Sequence, residues 1–306
     1  MPENRGTPIL PFLIAAGVGA WGVSRLIREA RLRQNQEYFH GKVVIITGAS
    51  RGIGKALALA FAKRGAHVVL AARSVGALDQ VASACDERGA ASTLVLPTDI
   101  SDLEARRALI QKTMDHYHQI DILVNNAGIV QGGPVNEVGY ESMAKQIEIN
   151  LLALMHLTQL ALPHMLERGR GHIVNVASLA GHWSEANFSA YAASKRGVIG
   201  FAMGLRHELL DSGIHVMTLN PSETDTDQIT NYREAIDSMG IEVHPPEAVA
   251  EKALAGIVLR QPEVNVGGLL EKATVLAGAF PRLAALAWRV MEPSNWDEFT
   301  RQQRTE

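Results

Sequence analysis

The sequence has little cysteine, few aromatic residues and little net charge. Its 306 residues include one cysteine, Cys85, so neither a disulfide within the chain nor a cysteine-based zinc site can form. The 29 Lys and Arg residues against 32 Asp and Glu give a formal net charge of −3, whereas a nucleic-acid-binding domain usually carries a basic excess. The 11 histidines form no group with metal-ligand spacing. We therefore expect no nucleic acid partner and no metal site.

Hydrophobic residues make up 47% of the chain and are distributed unevenly. The run from Ile9 to Val23 has no charged residue, and extended to Ile27 it approaches the roughly 20 residues that span a bilayer. Arginines follow it at positions 25, 28, 31 and 33, and the positive-inside rule then places the rest of the chain in the cytoplasm. We expect residues 1–27 to be a membrane anchor, single-pass or monotopic, and residues 28–41 to be a basic linker.

Three other interpretations of this segment stay open. It could be a signal peptide cleaved after Val18-Gly19-Ala20, although the arginines that follow oppose translocation. It could be an apolar arm that packs on a partner subunit. It could also lie in the membrane interface without crossing.

After Lys42, short apolar runs alternate with helical segments. Val43–Ile46 is a continuous β-branched run, as expected of a strand buried on both faces. The other predicted strands are His67–Ala72, Thr93–Leu96, Ile122–Asn125, His172–Val176 and His215–Leu219. The predicted helices are Ile53–Lys63, Leu78–Arg88, Leu103–Tyr117, Tyr140–Glu167 (kinked near Pro163) and Ala190–Leu210. This alternation predicts an α/β fold with a doubly wound parallel sheet, in one domain over residues 42–266.

A glycine-rich turn joins the first predicted strand to the first predicted helix, with the sequence Thr47-Gly48-Ala49-Ser50-Arg51-Gly52-Ile53-Gly54. Its glycines allow a tight turn, close backbone approach to a pyrophosphate, and close packing of helix on strand. The N-terminus of the helix also favours an anion. The turn therefore predicts a dinucleotide-binding site.

The residue after the second predicted strand bears on the choice of dinucleotide. An acidic residue there would accept hydrogen bonds from the ribose 2′-hydroxyl of NAD, but this chain has Arg73. Arg51 adds a second guanidinium group in the glycine-rich turn, and two such groups suit a 2′-phosphate. We predict NADP(H) as the cofactor; the alternative is that both arginines only face solvent.

These motifs, in this order, resemble the classical short-chain dehydrogenase/reductase family, whose fingerprint is Thr-Gly-x-x-x-Gly-x-Gly. The resemblance covers roughly residues 42–260. It includes Asn125-Asn126-Ala127-Gly128 at the end of the fourth strand and the Tyr-x-x-x-Lys pair in Tyr191-Ala192-Ala193-Ser194-Lys195. It implies a Rossmann fold, interconversion of an alcohol and a ketone, and a homodimer or homotetramer formed through the helices that carry Asn150 and Tyr191.

The resemblance also implies a role for each catalytic residue. Tyr191 would be the general acid/base, and Lys195, on the same helix face, would lower its pKa and bind the nicotinamide ribose. Ser178 would hold the substrate oxygen, and Asn150 would position a water for the proton relay. The expected cofactor contacts are Thr47, Gly48, Ser50, Arg51, Gly52, Ile53, Gly54, Arg73, Asp99 (at the adenine), Asn126, Ala127, Gly128, Tyr191, Lys195, Pro221 and Thr226 (at the carboxamide).

The stretch from Pro221 to Thr226 departs from the family pattern. Ser222 stands where the family has glycine, so this turn should avoid conformations that only glycine enters easily. The pattern Pro-x-Glu-Thr-Asp-Thr resembles the ketosphinganine reductases, membrane-anchored and NADPH-dependent members that act on a long-chain base. That similarity is short.

Two further segments are expected to lie near the substrate. Residues 222–246 should form a mobile lid, whose apolar residues either make a ceiling over the substrate or pack a helix on the core: Ile229, Tyr232, Ile236, Met239 and Ile241. Residues 267–306 form a semi-apolar, amphipathic tail. It either lies at a membrane surface or covers the sheet or the mouth of the site.

Together these features predict a membrane-anchored, NADPH-dependent reductase of a ketone on a hydrophobic, lipid-like small molecule, or the reverse oxidation. A 3-keto lipid such as 3-ketosphinganine is one candidate, and a hydroxysteroid or retinol-type dehydrogenase is an alternative. A dinucleotide-binding regulator without catalysis is a further alternative, against which the complete set of Asn150, Ser178, Tyr191 and Lys195 argues. An anchored scaffold stays possible as a secondary role.

Overall fold

The computed structural model describes residues 35–238 and 240–268, together with positions 275, 280, 282, 285, 286, 288, 289, 296 and 300. The expected anchor, residues 1–27, lies outside the described residues. So do residues 28–34 of the expected linker, Met239 of the lid and most of the C-terminal tail.

The described residues form a seven-stranded parallel sheet with the strand order β3-β2-β1-β4-β5-β6-β7. The strands are β1 (Val43–Thr47), β2 (His67–Ala72), β3 (Ser92–Pro97), β4 (Ile122–Asn125), β5 (Gly171–Val176), β6 (Ile214–Pro221) and β7 (Glu263–Val266). β1 pairs with β2 on one side and with β4 on the other. The order therefore reverses at β1, and a crevice for a ligand opens there at the carboxyl ends of the strands.

Helices cover both faces of the sheet. They are α1 (Asn35–Tyr38), α2 (Gly52–Ala62), α3 (Val75–Glu87), α4 (Leu103–Tyr117), α5 (Tyr140–Ile147), α6 (Ala153–Glu167), α7 (Ser189–Glu208), α8 (Arg233–Ser238) and α9 (Pro246–Val258). One buried core contains side chains of α2, α3 and α9, and the other contains side chains of α4, α6 and α7. The predicted doubly wound α/β fold is confirmed.

The predicted helix from Tyr140 to Glu167 is interrupted. A π turn, Glu148–Leu152, separates α5 from α6, whereas α6 continues through Pro163 to its end. Such turns insert a residue into a helix and often occur at functional sites. This one carries Asn150, whose side chain is buried.

The same stretch, Tyr140–Glu167, is the one part of the described chain that is long and apolar enough to cross a membrane. Its apolar side chains are used inside the domain, because Ala153, Leu157, Ala161 and Met165 are buried in one of the two cores. We therefore interpret it as a core helix of the fold.

The described chain begins at the edge of the sheet where the strands start. The hydroxyl of Tyr38 lies 2.6 Å from Nε2 of His172, near the start of β5. The neighbouring Phe39 is fully buried and meets Phe61 edge to face. Residues 35–41, expected as the end of a linker, thus pack on the catalytic domain.

Candidate active site

The residues singled out from the sequence converge at the carboxyl edge of the sheet. Thr47, Asn125, Val176 and Pro221 each end a strand there. Neighbouring parallel strands end at the same edge, so the loops that follow these residues share one crevice.

The glycine-rich turn has the close packing expected of it. Gly48 and Gly52 have φ angles of +66° and +54°, a region that other residues rarely adopt. A Cβ atom on Gly54 would lie 2.1 Å from the carbonyl oxygen of Gly48, so only glycine fits there. The turn leads directly into α2, whose N-terminus can accept a pyrophosphate.

The predicted motif at the end of β4 supports this turn from the other side. The hydroxyl of Thr47 accepts hydrogen bonds from the backbone nitrogens of Asn126 (3.0 Å) and Ala127 (3.1 Å). The amide of Asn126 donates to the carbonyl oxygens of Thr47 (2.8 Å) and Gly48 (3.2 Å). The two predicted cofactor loops therefore hold each other in place.

The predicted adenosine end of the site carries exposed charges. Arg73 follows β2 and Asp99 lies just after β3, both exposed. Hydrogen bonds from the backbone and the hydroxyl of Ser101 lower the pKa of Asp99, and the positive charge of Arg73 adds to that effect. Arg51 pairs instead with Asp227 at 2.9 Å. Of the two proposed phosphate-binding cations, Arg51 is therefore held by a carboxylate.

Asn150 is buried and uses its whole side chain in hydrogen bonds. Its Oδ1 accepts from the nitrogen of Ile129 at 2.8 Å, and its Nδ2 donates to the carbonyl oxygen of Ile129 at 2.9 Å and to the hydroxyl of Ser194 at 3.0 Å. The side chain thus clamps the loop after Gly128 to α7. The expected role of Asn150 in positioning a water stays a prediction, and Oδ1 has a second lone pair that could accept from it.

The four predicted catalytic residues lie close together in the fold. Tyr191 and Lys195 are on α7, and the ammonium of Lys195 is 5.7 Å from the centre of the Tyr191 ring. Ser178 follows β5, and its hydroxyl lies close enough to the phenol of Tyr191 to lower the pKa of that phenol. Gly128 lies between Asn150 and Lys195. A Cβ atom on Gly128 would be 3.2 Å from Oδ1 of Asn150 and 3.4 Å from the ammonium of Lys195. The arrangement places one hydroxyl, one phenol and one ammonium at the same crevice.

The expectation that Lys195 lowers the pKa of Tyr191 is not met in this structure. Burial, together with the nearby Glu223 and Glu185, raises the pKa of Tyr191 to about 12, although the hydroxyl of Ser178 acts to lower it. Burial lowers the pKa of Lys195 itself to about 8, and its ammonium donates to the carbonyl oxygen of Val176 at 2.9 Å. Tyr191 is therefore a protonated phenol at neutral pH, the form that can act as an acid.

The turn after β6 behaves as the sequence predicts. Ser222 donates its backbone N–H to the carbonyl oxygen of Val266 at 2.7 Å and is not among the described residues with positive φ. Thr226 lies against the glycine-rich turn, since a Cβ atom on Gly52 would be 3.0 Å from its methyl group. The predicted carboxamide-binding threonine is thus next to the predicted cofactor loop.

The predicted lid is structured where it is described. A 3₁₀ turn, Asp227–Tyr232, leads into α8. Gln228 donates to the carbonyl oxygen of Gly128 at 3.1 Å, and Ile229 and Ile236 are buried. These contacts favour the interpretation in which the lid packs on the core.

Two sets of residues at this site could not be assigned to it from the sequence. One is the pair Glu185 and Glu223, whose charges act on Tyr191. The other is an aromatic cluster that includes Phe188, Trp288 and Trp296 and contacts Tyr191. The sequence gives no pattern that predicts the cluster, because Phe188 is about a hundred residues before Trp288 and Trp296. Among the described residues, no group of three His, Cys, Asp or Glu side chains could hold a metal ion.

Comparisons with known proteins agree with this geometry. Residues 42–237 match the family model for short chain dehydrogenases. The chain is 36% identical to the ketoacyl reductase HetN of Nostoc sp. over 74% of its length and 78% of that protein. It is 31% identical to dehydrogenase/reductase SDR family member 7B of Rattus norvegicus, covering 91% of this chain and 85% of that one.

A third relative is the NADP-dependent 3-hydroxy acid dehydrogenase of Schizosaccharomyces pombe, 31% identical over 72% of this chain and 88% of that protein. Among solved structures, a short-chain type dehydrogenase/reductase from Mycobacterium marinum is 28% identical with a TM-score of 0.71, covering 75% of this chain and 95% of that one. The chain is therefore a member of the short-chain dehydrogenase/reductase family, an oxidoreductase built on the nicotinamide-dinucleotide fold.

Proposed function

We propose that this protein is an NADPH-dependent reductase that converts a ketone on an apolar substrate to the alcohol. The observation that carries the proposal is the group of Ser178, Tyr191 and Lys195 beside the glycine-rich turn, at the carboxyl edge of the sheet. The turn fits a dinucleotide because Gly48, Gly52 and Gly54 leave no side chain over it. The cofactor, when bound there, supplies the hydride.

The chain's own residues supply the proton and hold the substrate. The hydroxyls of Ser178 and Tyr191 lie close together, so a substrate carbonyl oxygen beside both would receive two O–H donors once the Ser178 hydroxyl turns away from the carbonyl oxygen of Pro221. As negative charge develops on that oxygen, Tyr191 gives up its proton. Its pKa near 12 keeps the phenol protonated at neutral pH, so the site is poised for reduction. Oxidation of the alcohol would require the phenolate and should gain rate as the pH rises.

NADP as the cofactor is supported by charge and by a relative. Arg73 stands exposed after β2, where an acid would be needed to bind the 2′-hydroxyl of NAD. The relative in S. pombe is named as NADP-dependent. Arg73→Asp should weaken NADPH binding relative to NADH. An unchanged preference would refute this assignment.

The apolar substrate is supported by the aromatic cluster of Phe188, Trp288 and Trp296, which packs against Tyr191. The names of two relatives, a ketoacyl reductase and a 3-hydroxy acid dehydrogenase, support a keto or hydroxyl group as the reacting centre. A 3-keto lipid such as 3-ketosphinganine is the narrower candidate, and a hydroxysteroid or retinol-type compound is the alternative. A non-catalytic dinucleotide-binding regulator would not need the assembled set of Ser178, Tyr191 and Lys195.

The test is a panel of ketones with NADPH, from small water-soluble carbonyls to long-chain 3-keto lipids, steroids and retinal. Turnover of apolar ketones supports the proposal, whereas turnover of only the small carbonyls refutes the apolar substrate. Tyr191→Phe should abolish turnover and leave NADPH binding nearly unchanged. The matched control is Tyr140→Phe, which removes the hydroxyl of a 75% exposed tyrosine and should keep full activity.

We also propose a cytoplasm-facing membrane protein that forms a homodimer or homotetramer. The membrane attachment rests on the apolar residues 1–27 and the arginines behind them. The association rests on apolar side chains exposed on the two helical stretches, such as Leu152 and Met203. Membrane fractionation of the full chain against a chain beginning at Tyr38 tests the first part. Sedimentation of the purified protein tests the second.

A further inference from the structure

Four aromatic side chains form a continuous cluster at the active site. The ring centroids are 5.9 Å apart for Trp183 and Trp288, 5.4 Å for Trp288 and Trp296, and 5.9 Å for Phe188 and Trp296. Trp183 and Phe188 lie in the segment that joins Ser178 to α7, and the other two belong to the C-terminal region. The cluster therefore connects the tail of the chain to the loop that precedes Tyr191.

Hydrogen bonds fix the two segments together. The indole N–H of Trp296 donates to the carbonyl oxygen of Ala186 at 2.9 Å. The amide of Asn187 donates to the hydroxyl of Thr300 at 2.9 Å, and the carbonyl oxygen of Asn187 accepts from the nitrogen of Gly133 at 2.8 Å. The indole N–H of Trp296 is therefore paired within the protein.

Two rings of the cluster are buried and two are partly exposed. Phe188 and Trp296 are 6% and 3% exposed, whereas Trp183 and Trp288 are only partly buried. Tyr191 also packs against the cluster. A substrate whose carbonyl lies at the Tyr191 hydroxyl would therefore have an apolar wall within reach of its adjoining carbon atoms.

The angles between the rings indicate the shape of the ligand. Neighbouring rings are inclined by 59° to 67°: Trp288–Trp296 and Phe188–Trp296 meet edge to face, and Trp183–Trp288 is tilted. None of these three described ring pairs has the parallel faces that would sandwich a planar ring system. A narrow, flexible alkyl chain can follow rings inclined in this way, whereas a rigid planar ring system stacks best between parallel faces.

We propose that Trp183 and Trp288, backed by Phe188 and Trp296, form the subsite that binds the alkyl chain of the substrate. The subsite makes the C-terminal region a determinant of chain-length specificity. This inference rests on the proposed reductase function, since it places the chain relative to a carbonyl at Tyr191.

The test measures kcat/KM of the full chain in nanodiscs for 2-hexanone, 2-octanone, 2-decanone and 2-dodecanone with NADPH. Complete burial of a methylene is worth about a fourfold gain, so the wild type should improve along the series. Trp288→Ala should lower the dodecanone-to-hexanone ratio at least tenfold, and Trp288→Phe should retain most of it. Dividing the kcat/KM of each variant by that of the wild type for the same ketone removes the effect of the ketone's partition into lipid.

Phe280→Ala is the matched control, since Phe280 is an aromatic residue of the same region that is 60% exposed. It should leave the ratio unchanged. A merely structural role for the cluster predicts that Trp288→Ala lowers the melting temperature and the rates for all four ketones by one factor, which would overturn the proposal. A larger effect of Trp288→Ala on a steroid ketone than on 2-dodecanone would also overturn it.

A binding measurement separates this inference from the proposed function. The chain has four tryptophans, and Trp21→Phe leaves only those of the cluster. Saturable change of tryptophan fluorescence by 2-dodecanone, lost in Trp288→Ala, supports the subsite even if no ketone is reduced. Turnover of the ketones without a fluorescence change refutes the subsite and leaves the reductase function standing.

Discussion

Replacing Asn150 tests whether its side chain mainly holds the loop after Gly128 against α7 or instead binds a water of the proton relay. In Asn150→Ala, three hydrogen bonds are lost, and the backbone N–H and C=O of Ile129 both lose their partner. An unsatisfied buried polar group costs about 1–3 kcal/mol, and Ile129 is partly exposed, so water can replace part of the loss. We expect a loss of about 2–4 kcal/mol in the free energy of unfolding.

Thermal and urea unfolding, measured beside kcat and KM, provide the assay. For a domain of this size, 1 kcal/mol corresponds to about 2–4 °C in Tm, so Tm should fall by roughly 10 °C. KM should rise with it, because the loop after Gly128 also leads to the substrate side of the site. An unchanged Tm with a large loss of kcat would refute the clamp and favour a direct role of Asn150 in the proton relay.

The Asn150→Asp variant tests the same contacts through the pH dependence of its stability. The new carboxylate can still accept from the nitrogen of Ile129, but its second oxygen would face the carbonyl oxygen of Ile129 in a buried site. Burial and this contact raise the carboxyl pKa in the folded state. The destabilisation should therefore grow as pH rises above about 4, the ordinary pKa of the group. Equal destabilisation at pH 4.5 and pH 8 would contradict the geometry.

Three other predictions follow from single contacts. Gly54→Ala would place a methyl group 2.1 Å from the oxygen of Gly48, so NADPH affinity should fall at least 100-fold (~2.7 kcal/mol) in a fluorescence titration; near-normal affinity would contradict the close packing. His172 is buried and its pKa is lowered to about 3, so the folded state loses stability as pH falls below about 6.5. His172→Gln should remove up to about 2.7 kcal/mol of the loss between pH 6.5 and 4.5 in urea unfolding, and an unchanged pH dependence would argue against a buried neutral imidazole. Lys195 has a pKa lowered to about 8, so kcat/KM for reduction should fall above pH 8 as its charge is lost; a flat profile to pH 10 would refute that assignment.

The central part of the fold was predictable because burial on both faces leaves a clear pattern. All five residues of β1 are buried, and the sequence there is an uninterrupted apolar and β-branched run ending in threonine. β7 was missed because Glu263–Val266 alternates buried and partly exposed residues over only four positions. An edge strand of that kind has the composition of a loop.

The π turn left no sign in the sequence. Its residues, Glu148–Leu152, are compatible with a continuous helix, and the turn is held by the contacts of Asn150 with a loop twenty residues upstream. The catalytic residues could be assigned because the family motifs fix their order along the chain. The pKa of Tyr191 could not, because it depends on burial and on Glu185 and Glu223, which only the fold brings near it.

The position of Tyr38 changes the argument for an apolar substrate. The hydrogen bond of Tyr38 to His172 places the start of the described chain at the amino edge of the sheet, whereas Tyr191 lies at the carboxyl edge. The described chain thus enters the domain at the edge opposite the active site, so the expected anchor alone is no evidence that the substrate is apolar. The aromatic cluster, by contrast, contacts Tyr191 directly. The case for an alkyl substrate therefore rests on Trp183 and Trp288, and removal of residues 1–37 should leave the chain-length dependence of kcat/KM intact.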